Sequence, residues 1–343
     1  MFRVREVEGK DLEDLLTLSK QALFLNLPAD RNMLGKKIAK SHASFRGKLK
    51  SDAECEYTFV LEDLEQQRVV GAASIIAKHG TPLEPHTYFQ VVEKKKLSKS
   101  LHIGFLHQVL RIGFDFDGPT EIGGLVVLPE YRGHAQKLGR FLSFCRFMYI
   151  SARSPRFEDE MLSELMPPFN DRGESPIWEE IGRKFTNLRY DEADRLSRRN
   201  KEFITALFPE GDIYTCMLAG EARSAIGQVS DDTIPVKKML EKIGFQYRNM
   251  IDPFDGGPHF WAKTGSVLPV KKTRLVKLAK ADPKKNKNSK LAYGFVLTLS
   301  KGGLRAVQDD FSFLPAGLVL NATQEKNLSL DSKSEIYFLE MTK

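Results

Sequence analysis

The sequence predicts an α+β fold with a mixed, mostly antiparallel sheet, followed by a small all-β barrel at the C-terminal end. Three observations lead to this prediction. Strand and helix patterns follow one another in residues 1–78 in the order β-α-α-β-β. A strand, a glycine-containing loop and a helix are expected in residues 121–150. Residues 291–341 then alternate in short strand patterns between glycines and prolines.

The N-terminal part supplies the first five elements. Alternating polar and apolar residues in 1–7 predict a half-buried strand, and Asp11 is expected to cap the helix that follows. A turn at Pro28 precedes a second helix. Two apolar runs, 57–63 and 69–78, are joined by a short polar segment, which is typical of a β-hairpin.

Three short apolar runs between residues 80 and 120 predict three further strands. His86, His102 and His107 lie in this part of the chain. We interpret them as packed or surface imidazoles, because no carboxylate or cysteine accompanies them at the spacing of a metal site. No metal is therefore expected.

The part after the central helix alternates between strands and helices. Residues 161–166 form a candidate strand, and residues 191–207 have the composition of one charged helix. The segments SPIWEEIGRKF and IPVKKMLEKIGFQYR predict two amphipathic helices. Gly182 and Gly244 are expected to end these helices in the left-handed conformation, and a strand is expected after each glycine.

The composition changes near Lys271, where a basic stretch precedes the C-terminal strand patterns. We therefore predict two domains. Residues 1–268 form the first, with a helical addition around 186–225, and residues 269–343 form the small β-barrel.

Composition limits the function to a few classes. The net charge of +7 favours anionic ligands, but the basic run 271–290 has no interleaved aromatic residues, so no nucleic-acid partner is expected. No apolar run has transmembrane length, and the charged N-terminus lacks a signal-peptide pattern. Cys55, Cys145 and Cys216 are isolated, which favours reduced thiols. We expect a cytoplasmic protein without a membrane partner.

The stretch from 121 to 150 has the chemistry of a phosphate-binding element. An apolar strand at 125–128 ends at Pro129, and a loop rich in Gly, His and Lys leads into a helix that starts near Leu138. The first turn of a helix has unpaired N–H groups and partial positive charge, and Arg132, Lys137 and Arg140 add formal charge. An ordinary strand–loop–helix connection remains the alternative.

The residues of this stretch and of a later helix favour the phosphate-binding interpretation. V-V-x-P-E-Y-R-G followed by G-R-F-L, with M-L-E-K-I-G-F further along, resembles the signature of the GNAT-type acyl-CoA N-acyltransferases. The resemblance implies a GNAT-like core that binds coenzyme A. It places Leu125 and Val127 beside the pantetheine, and Arg132, Gly133 and Gly139 near the pyrophosphate. The loop is slightly longer than the family pattern, with alanine at a usual glycine position.

A narrower resemblance covers most of the chain. The phrase IGQVSDDTIPVKKMLEKIGFQYRNMIDPFDGGP, the SPIWEEIGRKF helix and RFLSFCRFMY are similar to the arginine N-succinyltransferase family. The resemblance implies that the chain transfers succinyl from succinyl-CoA to the α-amine of arginine or ornithine. It leaves the oligomeric state open.

Two positions depart from that family. Its catalytic histidine belongs to G-Q-V-H, whereas this chain has Ser230, and a free hydroxyl does not titrate near neutral pH. Asp231, Asp232 and His259 are the nearest titratable candidates to compensate. Residues 21–26 also differ from the family, so the acceptor can differ. The alternative function is a catalytically impaired member that acts as a coenzyme A-binding or regulatory protein.

Overall fold

The computed structural model describes residues 1–21, 27–197, 201–279 and 290–342. Its strands are β1 (Phe2–Glu6), β2 (Glu56–Asp63), β3 (Arg68–Ile76), β4 (His86–Ser98), β5 (Ile103–Asp115), β6 (Thr120–Val127), β7 (Glu160–Glu164), β8 (Ile213–Tyr214), β9 (Gln246–Ile251), β10 (Pro258–Lys263), β11 (Arg274–Val276), β12 (Lys290–Ser300), β13 (Gly303–Leu314), β14 (Gly317–Val319) and β15 (Glu335–Glu340).

Ten α-helices accompany these strands within the described residues. They are α1 (Leu12–Ser19), α2 (Arg31–Phe45), α3 (Leu138–Ala152), α4 (Arg183–Thr186), α5 (Tyr190–Ser197), α6 (Glu202–Leu207), α7 (Gly220–Ala225), α8 (Ile234–Ile243), α9 (Leu268–Lys272) and α10 (Ala322–Leu328). Among the parts of the chain described here, each helix is too short or too polar to cross a bilayer.

The chain forms two compact units. Unit 1 contains Met1–Ala77, Ile122–Asp159 and Thr264–Lys343, and unit 2 contains Lys78–Glu121 and Glu160–Lys263. The prediction divided the chain after residue 268 instead. It did not foresee that β13 pairs with β1, at Val4↔Ala306, which groups the C-terminal strands with the N-terminal ones. Independent folding of residues 269–343 stays a prediction.

Unit 1 has the strand order β11-β15-β12-β13-β1-β2-β3-β6. The C-terminal strands close into a small barrel, because β13 also pairs with β14, and Leu318 of β14 bridges in parallel to Leu278 just after β11. Buried apolar side chains, among them Val296, Phe311 and Phe338, fill its interior. The predicted barrel is therefore present, with α10 as an addition to the all-β pattern.

The predicted N-terminal strand, helices and hairpin are all found in unit 1. One detail was wrong, because the Asp11 side chain does not cap α1. Its carboxylate instead accepts hydrogen bonds from the Arg5 guanidinium, at 2.7 and 2.9 Å. Asp30 provides the expected type of cap for α2, since its carboxylate accepts from the Met33 N–H.

Unit 2 has the strand order β6-β7-β10-β9-β4-β5-β8, and β6 pairs with β7 in parallel at Thr120↔Met161 and Glu121↔Leu162. The three strands predicted between residues 80 and 120 are two long strands, β4 and β5, which form a hairpin with thirteen paired positions. The second and third apolar runs belong to one strand, because no turn residue interrupts it.

The helices of unit 2 correct two further predictions. Gly244 ends α8 with φ 114°, as expected. Gly182 instead has φ −53° and ends a π-helical turn, Trp178–Gly182, which continues directly into α4 as far as Thr186. A Cβ on Gly182 would lie 2.2 Å from the Trp178 ring, so close packing explains this glycine. The single charged helix predicted at 191–207 is two helices, α5 and α6, and residues 198–200 between them lie outside the described ones.

Candidate functional site

Strand β6 presents alternate faces, as its sequence predicts. Val126 and Leu128 are buried in the core of unit 1, at 4% and 3% exposure, whereas Leu125 and Val127 are half-buried. The side chains proposed to lie beside the pantetheine therefore share the less buried face. Gly124 has φ 60°, which marks an irregularity in this strand.

A buried arginine supports β6 at this irregular point. Arg146 of α3 is 2% exposed and donates to the Gly123 carbonyl at 3.0 Å and to the Ser74 carbonyl at 3.3 Å. Burial lowers the pKa of Arg146 to about 9. The side chain thus donates to carbonyls of both β6 and the neighbouring strand β3.

The loop after β6 ends at an uncapped helix. Gly133 has φ 71° and Lys137 has φ 52°, so the chain turns twice through the left-handed region before α3 begins. Among the described residues no side chain caps the first turn of α3, and the Arg140 N–H donates to the Lys137 carbonyl at 2.9 Å. The N–H groups of Leu138 and Gly139 are therefore the donors available to an anion at the positive end of the helix dipole.

Three basic side chains accompany this helix start. Arg132 is exposed and its Nε donates to the Val127 carbonyl at 3.1 Å, and Lys137 is exposed as well. The Nε atom of Arg140, in the first turn of α3, is buried and has no hydrogen-bond partner among the described residues. An anion bound at the loop would supply the acceptor that Arg140 lacks.

Two cavities in unit 1 lie elsewhere. They have volumes of about 210 and 360 Å³ and share Glu6, Arg46, Gly303 and Leu304 among their lining residues. No residue of 125–139 lines either cavity. Because helix termini bind phosphates at the protein surface, a surface loop rather than a cavity is the expected form of a pyrophosphate site.

Ser230 lies in unit 2 just before a short 3₁₀ turn at Asp231–Thr233. Its hydroxyl is 2.8 Å from the Thr233 hydroxyl, and its N–H donates to the Met166 carbonyl at 2.9 Å. Asp231 and Asp232 are exposed. The position is therefore well anchored, but the hydroxyl's described partner is neutral and gives it no acid–base capacity near neutral pH.

Unit 2 also holds a cluster of imidazoles and carboxylates, which we call the histidine–carboxylate cluster: His79, His86, Glu121, Glu164, Asp252, Asp255 and His259. Glu164 lies at its centre. Its Oε1 atom is 4.0 Å from His79 Nε2 and 3.8 Å from His86 Nδ1. The same oxygen is 3.5 Å from His259 Nε2, and His79 Nδ1 is 2.6 Å from Glu121 Oε2.

Burial shifts the pKa values of several groups in this cluster. Burial raises the pKa of Glu164 well above its usual range, and the charges on Glu121 and Asp252 act in the same direction. Burial likewise raises the pKa of Asp255. Burial lowers the pKa of His259 to about 3 and that of His86 further, so both imidazoles are neutral at physiological pH.

Known proteins match the part of the chain that contains these residues. The family model described as "Arginine N-succinyltransferase beta subunit" matches residues 2–268. The chain belongs to this family. A Yersinia enterocolitica protein named arginine N-succinyltransferase is 36% identical over 274 residues, 79% of this chain and 78% of that protein. An Escherichia coli protein of the same name is 34% identical over 286 residues, 82% of each chain.

A solved structure agrees with the family assignment. The arginine/ornithine succinyltransferase subunit AI from Pseudomonas aeruginosa matches 100% of this chain and 99% of its own, with a TM-score of 0.83 and 26% identity. The sequence-based membership of the arginine N-succinyltransferase family and its fold class are thereby confirmed.

The predicted site residues fall into separate places. Leu125, Val127, Arg132, Gly133 and Gly139 are together on β6, the loop and the start of α3, as the family resemblance implies. Their ligand contacts stay a prediction, as does any role of Ser230. Residues 22–26 of the predicted departure at 21–26 and residues 280–289 of the basic run 271–290 lie outside the described residues.

Sequence analysis missed most of the histidine–carboxylate cluster. His259 was considered only as a replacement for the family histidine, and His86 only as a packed imidazole. His79, Glu121 and Glu164 were not singled out, because their partners lie as many as 180 residues away along the chain. The signal that could have found them is weak: polar residues at both ends of otherwise apolar strands.

Proposed function

We propose that the chain is an acyl-CoA-dependent N-acyltransferase that transfers succinyl from succinyl-CoA to the α-amine of arginine, with ornithine as a second acceptor. Family membership supports the reaction class. The names of the Yersinia enterocolitica and Escherichia coli relatives support arginine, and that of the Pseudomonas aeruginosa structure supports both amino acids. These relatives are all named as transferases, which favours turnover over the inactive alternative.

The observation that carries the proposal is the start of α3. Within the part of the chain that the structure describes, a helix terminus without a side-chain cap, an exposed Lys137 and an Arg140 Nε without a hydrogen-bond partner combine backbone donors with formal positive charge. This combination suits the pyrophosphate of coenzyme A. The less buried face of β6, with Leu125 and Val127, then suits the pantetheine arm.

The reaction forms one bond and breaks one. The neutral amine attacks the thioester carbonyl carbon, a C–N bond forms and the C–S bond breaks, so that coenzyme A leaves as a thiolate. The proton that the amine loses passes to the departing thiolate, directly or through water, so that coenzyme A is released as its thiol. A backbone N–H of β6 is suited to stabilise the negative charge on the carbonyl oxygen. Ser230 can donate a hydrogen bond or orient a water, but it is not the proton acceptor.

Purified protein with succinyl-CoA and either arginine, ornithine or lysine tests the proposal. We expect acceptor-dependent thiol release and an N-succinyl product detected by mass spectrometry, with arginine fastest. Absence of product with all three acceptors, over a panel of acyl-CoA donors, would contradict it.

The substitution Ser230→His, with Ser230→Ala as its matched control, tests the alternative. If an inert wild-type chain stays inert as Ser230→His, the coenzyme-binding or regulatory alternative gains support. A gain of turnover in Ser230→His alone would show instead that the site is otherwise competent. If the wild type already turns over, Ser230→Ala shows how far the hydroxyl contributes.

The cellular location follows from the thiols. Cys55, Cys145 and Cys216 are free in the structure. Free cysteines are typical of reducing compartments, so we propose that the protein acts in the cytoplasm.

A further inference from the structure

The histidine–carboxylate cluster of unit 2 has more hydrogen-bonding capacity than its side chains use. His86 and His259 are 1% and 0% exposed, and both ring nitrogens of each lack a hydrogen-bond partner among the described residues. Each neutral imidazole carries one N–H donor and one lone pair. Buried polar atoms are rarely left without partners, so two such rings beside one carboxylate indicate a ligand.

The distances indicate which ligand. The gaps of 3.8 and 4.0 Å from Glu164 Oε1 to His86 Nδ1 and His79 Nε2 are too long for hydrogen bonds. Ligands on a tetrahedral ion with ~2.05 Å bonds lie about 3.4 Å apart. Acceptors around an ammonium nitrogen, at ~2.8 Å each, would lie about 4.6 Å apart. The 3.8 Å gap is nearer to the metal geometry, and the 4.0 Å gap lies midway between the two.

The contacts of His79 fit the same role. Its Nδ1 lies 2.6 Å from Glu121 Oε2, within hydrogen-bond distance. In a neutral imidazole whose Nδ1–H donates to that carboxylate, the other nitrogen has the lone pair. The lone pair is then on Nε2, the nitrogen that faces Glu164. A carboxylate that orients a metal-binding histidine from behind in this way is a common arrangement at zinc sites.

We propose that His79 Nε2, His86 Nδ1 and Glu164 bind a divalent transition-metal ion, with Zn²⁺ as the expected occupant. Their ligand atoms all lie within 4.8 Å of one another. Imidazole and carboxylate ligands suit Zn²⁺ and its neighbours better than Mg²⁺ or Ca²⁺. This proposal departs from the sequence-based expectation of no metal, which considered only spacing along the chain.

Charge and further ligands support the site. His259 and Asp252 form a second set with Glu164, so additional ligands are within reach of the ion. The cluster contains the carboxyl groups of Glu121, Glu164, Asp252 and Asp255, whereas Lys201 is one cation whose charge acts on Glu164 and Asp252. A divalent cation would offset this excess of acidic groups.

Metal titration of the full chain, after removal of metals by a chelator, tests the proposal. We expect one equivalent of Zn²⁺ by mass spectrometry of the eluted metal. Co²⁺ should give the visible absorption of a tetrahedral site. At a hundredfold excess over Kd, Zn²⁺ should raise Tm by about 4 °C. None of these readouts requires turnover, so they stand apart from the test of succinyl transfer.

Two variants locate the ion. His86→Phe keeps an aromatic ring but removes a ligand, and Glu164→Gln removes the central charge, so each should lose the Zn²⁺-dependent rise in Tm. His102→Asn is the matched control, because His102 is exposed with φ 51° and asparagine tolerates that conformation. No uptake of Zn²⁺ or Co²⁺ by the wild type, or equal uptake by His86→Phe and Glu164→Gln, would overturn the proposal.

Discussion

The two units each bury a group of charged or polar side chains, but in opposite ways. In unit 1, Arg5 is 3% exposed and its guanidinium contacts both Asp11, at 2.7 Å, and Glu62, at 3.2 Å. In unit 2, His86 and His259 are equally buried and none of their ring nitrogens has a described hydrogen-bond partner. The group around Arg5 makes its hydrogen bonds within itself and is complete, whereas the group around His86 and His259 is incomplete among the described residues.

The difference separates structure from function. Around Arg5, the hydrogen bonds from Arg5 and Arg3 outweigh the cost of burial and leave the pKa of Glu62 below its usual value. Around Glu164, burial dominates and the pKa rises. A buried polar group whose hydrogen bonds are all made within the protein stabilises the fold. A buried polar group that lacks hydrogen-bond partners is a candidate ligand site.

We expect the largest effect on the free energy of unfolding from removal of Arg5, the centre of the complete group. Arg5→Met leaves Asp11 and Glu62 buried without their shared counter-ion, and we expect a loss of about 3–5 kcal/mol in the free energy of unfolding, measured with urea. Arg223→Met serves as the control, because Arg223 is exposed. A loss below about 1 kcal/mol would show that the ion pairs around Arg5 contribute little.

The pH dependence of unit 1 sharpens the comparison. Because the folded pKa of Glu62 is lowered, its contribution is present above the unfolded pKa of about 4.3 and is lost as the pH falls through the folded value. The stability difference between wild type and Glu62→Gln should therefore shrink in urea unfolding as the pH falls from about 5 to 3. A difference that stays constant over this range would argue against a lowered pKa.

The incomplete group should respond in the opposite sense to substitution. In metal-free protein, His86→Phe removes polar atoms that have no partners, and we expect the free energy of unfolding to stay level or rise by about 1 kcal/mol. Urea unfolding of both proteins with a chelator present measures this. A loss above about 1 kcal/mol would show that the His86 imidazole is satisfied in solution.

The smallest effect concerns the loop before α3. Lys137→Gly relieves a left-handed residue and removes one exposed charge, so Tm should hold or rise slightly while coenzyme A affinity falls roughly two- to fivefold by calorimetry. Gln67→Gly is the control, since Gln67 has φ 54° in the β2–β3 turn. Equal coenzyme A affinity in both variants would count against a charge contribution from Lys137.

Local patterns made β6 and α3 predictable. The apolar run at 125–128, Pro129 and the helical spacing after Leu138 are all contained in about twenty residues, and β6, the loop and α3 follow them. Gly182 shows the limit of such patterns: glycine after a helical stretch indicates a helix end, but here the Trp178 ring needs the space.

The histidine–carboxylate cluster could not be predicted in the same way. His86 of β4 and Glu164 of β7 lie on strands that are distant in the sequence, and His79 lies in the segment between β3 and β4. Nothing in the local sequence of any one of them indicates the others. Arg146 is a similar case, since it lies in an apolar helix and its acceptors are main-chain carbonyls of β3 and β6. Both the histidine–carboxylate cluster and the Arg146 contacts depend on residues that are distant in the sequence. The periodicity of apolar residues along the chain does not indicate such contacts.

The pairing of β13 with β1 has a practical consequence for anyone who shortens this protein. The family match ends at residue 268, yet β1 takes a ladder partner from residues 303–314. A fragment cut after 268 would leave β1 as an open edge strand with unpaired main-chain groups, and such edges recruit strands from other molecules. Besides forming a barrel, the C-terminal segment therefore covers the edge of β1 and so prevents self-association through that edge.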